Sequence, residues 1–265
     1  DSKTGEERWR FEPDDGRLRA APAVYAGKVF LQTPRKAYAL DALSGALVWE
    51  AGKWGGNEAS PVVLPGPVEV RGEPVPGMVI VELQSRMVGL RIDTGEELWQ
   101  YRDTRNICNA ATSAAAYKGL IIFNTGSPLI NAVSIETERW MLSYNGDYDS
   151  GRFTVACRNG LIYGYGEHSG EGAVVAIPVD VAESVPGERN TVEPRWAFRQ
   201  AHWDDRHPEF CAPAATARQV FTGNGDGFLY ALDAQTGKLD WKRKLSAVVY
   251  GAPIVCANTL YCGLG

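Results

Sequence analysis

The chain has 265 residues and a net charge of −5, with 45% hydrophobic residues, 10% aromatics, 29 glycines and 15 prolines. That length buries a large core, and an all-β barrel or propeller of this size is one domain. The acidic balance offers nucleic acid no attractive field, and no run approaches the roughly 18 apolar residues of a membrane-spanning helix. The missing initiator Met and the absence of a signal-peptide pattern predict a processed chain or an excerpt of a longer one.

The first local signal is Asp1-Ser2-Lys3-Thr4-Gly5, which leads to Trp9. Residues 21–32, APAVYAGKVFLQ, then read as a hairpin that turns at Ala26-Gly27, because glycine tolerates the positive φ of a tight turn. KAYALD predicts a third strand and ALVWE a fourth, joined by Asp41-Ala42-Leu43-Ser44-Gly45 and carrying Trp49. In that turn the Asp41 carboxylate accepts backbone N–H groups, Ser44 supports it, and Gly45 supplies the left-handed residue. The third copy, Arg91-Ile92-Asp93-Thr94-Gly95 to Trp99, places Arg where the first two have the first Asp. The fourth, VSIETERW at 133–140, has no glycine. A fifth is interrupted after Ile177 by PVDVAESVPGERNTVEP, which lengthens the turn before Trp196. GNGDG at 223–227 predicts a turn between second and third strands, and ALDAQTGKLDW at 231–241 repeats the motif of residues 39–49.

Trp9, Trp49, Trp99, Trp140, Trp196 and Trp241 thus share one place in a repeat, at spacings of 40, 50, 41, 56 and 45 residues. A period of that size built from strands predicts propeller blades of four antiparallel strands. A large flat ring on each outer strand fills the wedge between one blade and the next. The expected fold is therefore an all-β propeller, residues 1–265 forming one domain with six Trp-motif blades and both ends falling within a blade. The 24 residues after Trp241 and the nine up to Trp9 fall about seven short of the smallest spacing, the length of one strand. GAPIVCANTLYCGLG supplies a first and a second strand, and DSKTGEERWRFE a fourth. The missing third strand favours an excerpt of a seven- or eight-bladed ring, with residues 1–12 and 251–265 apart.

These Ala-x-Asp-x-x-Thr-Gly-x-x-x-Trp units resemble the PQQ-binding-like β-propeller repeat family. Its members include the quinoprotein alcohol dehydrogenases and the propeller lipoprotein of the bacterial BAM outer-membrane assembly complex. The resemblance covers nearly the whole chain and is strongest in the blades of Trp49, Trp99 and Trp241. It implies an exported or periplasmic propeller whose activity varies from member to member.

Dehydrogenase chemistry would need, by that resemblance, PQQ over a Trp floor, a calcium site, a catalytic Asp and often a vicinal Cys pair. The five cysteines, Cys108, Cys157, Cys211, Cys256 and Cys262, include no adjacent two. Cys157 and Cys256 fall at equivalent places in different blades and are expected to be small buried residues. A turn at Ala257-Asn258 pairs Cys256 with Thr259 and leaves Cys262 out of register for a bond. No Asp-x-Asp-x-Asp-Gly calcium loop is present. No catalytic residue, cofactor or metal site is therefore expected; PQQ with calcium belongs only to the alternative.

AHWDDRHPEF, residues 201–210, gathers His202, Trp203, Asp204, Asp205, His207 and Glu209 without metal-site spacing. In a propeller this connection opens on the same face as the turns between second and third strands. That face is also expected to hold Trp54, Arg35, Lys36, Arg86, Arg105, Tyr144, Asp147 and Asp149. Exposed Trp, Tyr and Arg on rigid loops are the types that bind partners. The expected function is a non-catalytic scaffold that holds a protein or peptide through these loops. The alternative is a PQQ-dependent quinoprotein dehydrogenase or a piece of one.

Overall fold

The structure is a computed structural model. It describes residues 4–16, 18, 20–54, 59–83, 86–102, 113–124, 130–138, 140–144, 154–168, 171–179, 192–199, 211–223, 225–249 and 251–264. Two compact units are formed, Asp1–Gly119 with Ile135–Glu138, and Leu120–Ser134 with Arg139–Gly265. The first holds β1 (Ala23–Tyr25), β2 (Lys28–Gln32), β3 (Ala37–Asp41), β4 (Leu47–Ala51), β5 (Val62–Val70), β6 (Glu73–Glu82), β7 (Arg86–Arg91), β8 (Glu97–Arg102) and β9 (Ala115–Tyr117). The second holds β10 (Leu120–Asn124), β11 (Ile130–Ser134), β12 (Trp140–Tyr144), β13 (Ala156–Arg158), β14 (Leu161–His168), β15 (Glu171–Pro178), β16 (Trp196–Arg199), β17 (Ala214–Ala215), β18 (Gln219–Gly223), β19 (Phe228–Asp233), β20 (Leu239–Lys244), β21 (Ile254–Cys256) and β22 (Thr259–Tyr261).

No described residue is helical, and the strands form five four-stranded sheets and one two-stranded sheet, each in chain order. The all-β expectation and the four-stranded repeat therefore hold. Ala26 and Gly27 turn β1 into β2 with φ of 46° and 71°, the geometry that twisted hairpins favour.

The turn from third to fourth strand follows the chemistry expected of it. Asp41 Oδ1 accepts the N–H groups of Leu43 (3.1 Å) and Ser44 (2.8 Å) and the Ser44 hydroxyl (2.7 Å). Asp233 does the same with Gln235 (3.1 Å), Thr236 (2.8 Å) and the Thr236 hydroxyl (2.7 Å). Where Arg91 replaces the Asp, its guanidinium binds Asp93 at 2.7 Å, and the turn closes through Gly95 N–H to Arg91 C=O at 2.9 Å.

Each of these turns also receives the Trp of the repeat before it. Trp9 donates its indole N–H to Ala42 C=O (3.1 Å), Trp49 to Ile92 C=O (3.2 Å) and Trp196 to Ala234 C=O (3.1 Å). Gly45, Gly95 and Gly237, with φ of 72°, 76° and 68°, lie under those rings. A Cβ on any of them would meet the ring at 2.6, 2.8 or 2.5 Å. The glycine is required twice, for the left-handed turn and for the ring above it. A register shift just before Trp49, Trp99 and Trp241 sets each opposite a small residue, Ala39, Gly89 or Ala231.

Around these rings grow the cores. Phe30, Ala39, Trp49, Val79 and Leu90 share one cluster in the first unit, and Leu161, Tyr163, Trp196, Tyr230 and Leu232 share one in the second. Truncating a buried Trp or Phe costs about 3–5 kcal/mol, so these clusters carry much of the stability.

Several expectations are corrected. The 50-residue spacing from Trp49 to Trp99 comes from a lengthened hairpin, β5 with β6, which turns at Arg71-Gly72. Cys157 and Cys256 are not equivalent, because the pairs Arg158–Leu161 and Cys256–Thr259 align Cys256 with Arg158. Side chains alternate faces along a strand, so this one-residue offset leaves Cys256 exposed and Cys157 partly buried. Cys157, Cys211, Cys256 and Cys262 are free thiols, and burial pushes the Cys157 thiol up to about 12. Cys108 lies outside the described residues. Residues 5–13 form no strand, although a fourth strand is expected there.

Candidate functional site

Turns between second and third strands and connections that enter the next first strand do meet at one end of the sheets. In the first repeat, the Trp54 N–H that follows β4 donates to Arg35 C=O in the β2–β3 turn at 2.9 Å. Trp54 is partly buried and packs on the cluster of Phe30, Trp49 and Leu90. Gly52 lies against its ring, where a Cβ would come within 2.4 Å. Arg35 stands exposed beside it. A held aromatic platform and an exposed Arg are thus joined through their backbones, one from a connection and the other from a turn.

The approach to β1 adds a polar cluster at the same turn. The Tyr38 hydroxyl lies 2.9 Å from Asp14 Oδ1 and 2.6 Å from Asp15 Oδ1. The Thr33 hydroxyl donates to Asp15 Oδ2 at 2.6 Å, and Lys36 Nζ reaches Asp14 and Glu50 at 3.2 Å each. The Tyr38 hydrogen bond, then Lys36, lowers the Asp14 carboxyl below the ordinary carboxylate value. Asp14 and Glu50 in turn raise the Lys36 ammonium, and burial followed by the two carboxylates raises the Tyr38 phenol. The cluster keeps every charge engaged and fixes the β2–β3 turn.

In the second repeat a carboxyl is fully enclosed. Glu82 ends β6 and accepts the Ala114 N–H on Oε1 at 2.6 Å, while its backbone carbonyl accepts from Gln32 Nε2 at the end of β2. Burial pushes this carboxyl up to about 8, against the smaller opposing effect of the Ala114 N–H. It is therefore protonated at neutral pH and joins the ends of successive repeats without a buried charge. A run of hydroxyls continues the linkage, with Ala21 N–H on Ser60 Oγ and Ser60 N–H on Ser113 Oγ, both at 3.0 Å.

The other expected binding residues are placed as follows. Arg86, half-buried, is held by Gln100 at 3.0 Å and Glu97 at 3.9 Å within its own sheet. Tyr144 ends β12 with 3% exposure, so it presents no free ring; as the last strand residue it still packs inward. Arg105, Asp147, Asp149, His202, Trp203, Asp204, Asp205, His207 and Glu209 lie outside the described residues. Asp14, Asp15, Gln32, Tyr38 and Glu82 were not expected at this end. Glu82 carried a signal, a lone carboxyl closing the apolar run MVIVE. GNGDG does form the turn between β18 and β19, where Asp226 Oδ1 accepts the Phe228 N–H at 2.8 Å.

The family of the outer membrane protein assembly factor BamB matches residues 1–176 and 190–263. No curated protein matches. BamB from Moraxella catarrhalis is similar in structure, with a TM-score of 0.68 at 18% identity over 100% of this chain and 74% of that one. A quinohemoprotein alcohol dehydrogenase from Comamonas testosteroni gives 0.60 at 15% identity, over 86% of this chain and 43% of that one. A europium-containing methanol dehydrogenase gives 0.55 at 15% identity, over 86% and 51%. The chain thus spans about half the length of these two dehydrogenases, and identities this low establish a shared fold.

Proposed function

Because the chain belongs to the family of the outer membrane protein assembly factor BamB, we propose that it is a non-catalytic propeller scaffold. It holds a protein or peptide partner through the loops that carry Arg35 and Trp54, in the periplasm or another exported compartment. The observation that carries this proposal is the Trp54–Arg35 pair itself. Its backbones are joined at 2.9 Å, its ring rests on the core and its guanidinium is left to solvent. An aromatic side chain held in place before binding loses little entropy on contact, and an exposed Arg supplies charge-assisted hydrogen bonds, which is why the two types anchor interfaces.

The quinoprotein relatives imply PQQ and a metal. The donor set does not suit that group: among the described residues no three His, Cys, Asp or Glu side chains are placed to hold a metal ion, and no two cysteines are adjacent in the sequence. The polar residues of the loop end are instead spent on one another.

A photoactivatable residue placed at position 35 or 54 tests the proposal in cell envelopes. A discrete protein adduct is expected from both positions and none from position 43, in the turn at the other end of the sheet. Equal labelling from all three would defeat it. Stoichiometric PQQ uptake with calcium, followed by dye reduction on adding an alcohol, would favour the dehydrogenase instead.

A further inference from the structure

A second surface, independent of the loop end, stands out by charge. The chain is acidic overall, yet β20 reads Leu-Asp-Trp-Lys-Arg-Lys and follows Lys238. All six of its residues are exposed. The other outer strands differ: β4 carries only Glu50, β8 carries Glu97 with Arg102, β12 carries no charge and β16 carries Arg199.

The cations on β20 are positioned and unneutralised. Lys242 Nζ and Lys244 Nζ lie 5.0 and 4.7 Å from the centroid of the Phe228 ring. Lys244 Nζ also donates to Asp226 C=O at 2.6 Å, so its direction is set. The nearest carboxylate along the strand, Asp240, is taken by Gln219 Nε2 at 2.8 Å. Neither lysine nor Arg243 forms an ion pair among the described residues. Among the described residues β20 pairs only with β19, so its other edge is open, with backbone N–H and C=O groups left to pair.

We propose that the open edge of β20 is a docking strand for an acidic, extended segment of a partner protein, which adds to the sheet as a fifth strand. The pleat puts Lys242 and Lys244 on one face and Trp241 with Arg243 on the other, as their partners Tyr230, Phe228, Ala231 and Leu229 on β19 require. A strand with carboxylates at alternate positions sets them opposite Lys242 and Lys244, while the ladder supplies hydrogen bonds independent of its sequence. The same lysines repel a basic or a like edge, so the surface selects by charge instead of accepting any strand.

The probe is a fluorescein-labelled twelve-residue peptide of alternating Glu and Thr, titrated by anisotropy onto the full chain at low salt. Saturable binding is expected, and the matching Lys–Thr peptide should not bind. A Glu–Thr peptide N-methylated at alternate residues keeps its charge and loses its ladder donors. It should bind at least about tenfold more weakly, two hydrogen bonds of about 1 kcal/mol each being removed. The K242E variant should lose affinity by about tenfold or more, as a like charge replaces an opposite one. Equal binding of the N-methylated peptide would reduce the surface to diffuse charge and overturn strand addition. Binding of the Lys–Thr peptide, no saturable binding of the Glu–Thr peptide, or undiminished binding by the folded variant would overturn the proposal outright. The peptide series uses the unaltered protein and decides the matter even if that variant does not fold.

Discussion

The turns at Asp41–Gly45 and Ser134–Glu138 occupy the same place in two repeats and meet the same demand differently. The first closes on an Asp carboxylate and ends in glycine at φ 72°, beneath the ring of Trp9. The second has no Asp to accept its N–H groups and ends in Glu138 at φ 57°, a conformation that a Cβ makes costly. Glu138 is held by an ion pair with Arg71 at 2.9 Å. Trp99, the ring of the repeat before, is 1% exposed and its indole N–H has no partner among the described residues. Gly45, Gly95 and Gly237 each lie under a ring whose N–H reaches a carbonyl of the same turn, whereas the turn that ends in Glu138 receives no such bond from Trp99 among the described residues. Glycine in this motif therefore serves the neighbouring repeat as much as its own turn.

The largest expected effect comes from giving the well-formed turn the defect of the other. Gly95→Ala places a Cβ 2.8 Å from the Trp49 ring at a φ of 76°. Overpacking and left-handed strain together should cost roughly 2–4 kcal/mol, read as a lower urea midpoint with an unchanged slope. An unchanged midpoint would show that the ring moves aside freely.

The second test sets Glu82 against Gln32, which end the second strands of successive repeats. Glu82 titrates at about 8 when folded and near the ordinary carboxylate value when unfolded. Between those values the folded state binds the extra proton, so stability is full below the unfolded value and falls as pH rises towards 8. The slope approaches about 1.4 kcal/mol per pH unit. Glu82→Gln makes the position resemble Gln32 and should flatten urea midpoints measured between pH 5 and pH 8.5. A wild-type slope that survives in the variant would assign the effect to other groups.

Trp49→Phe and Trp99→Phe sharpen the contrast further. The first breaks a 3.2 Å hydrogen bond and leaves Ile92 C=O unmatched, whereas the second removes an N–H that was already unmatched. Trp99→Phe should be the cheaper by about 1 kcal/mol or more in thermal or urea unfolding. Equal losses would mean that the hydrogen bond contributes nothing. The smallest effect is a gain: Glu138→Gly should stabilise by about 1 kcal/mol, since the relieved backbone strain exceeds the loss of an exposed ion pair.

Much of the fold was legible because its signals are local. Asp41, Ser44 and Gly45 satisfy one another within five residues, and Ala26-Gly27 turns a hairpin with no help from elsewhere. Trp spacing exposed the repeat for the same reason, one ring per outer strand. The candidate site was less legible. Arg35 and Trp54 were expected on one face and are joined there, yet the same expectation included Tyr144, which the end of β12 buries. One residue separates a strand end from a loop, and burial changes completely across it.

Local chemistry therefore determined the strands, the turns and the repeat, because hydrogen bonds between near neighbours in the sequence require no partner from afar. Tertiary structure alone decided the environments. Lys36 finds Asp14 across 22 residues and Ala114 meets Glu82 across 32. Trp49 finds its carbonyl 43 residues away. Such contacts depend on which repeat lies beside which, and on alternation that a one-residue offset reverses, as it did for Cys157 and Cys256. The proton on Glu82, the orphaned N–H of Trp99 and the exposed cations of β20 follow from that packing and from the loss or retention of water that it imposes.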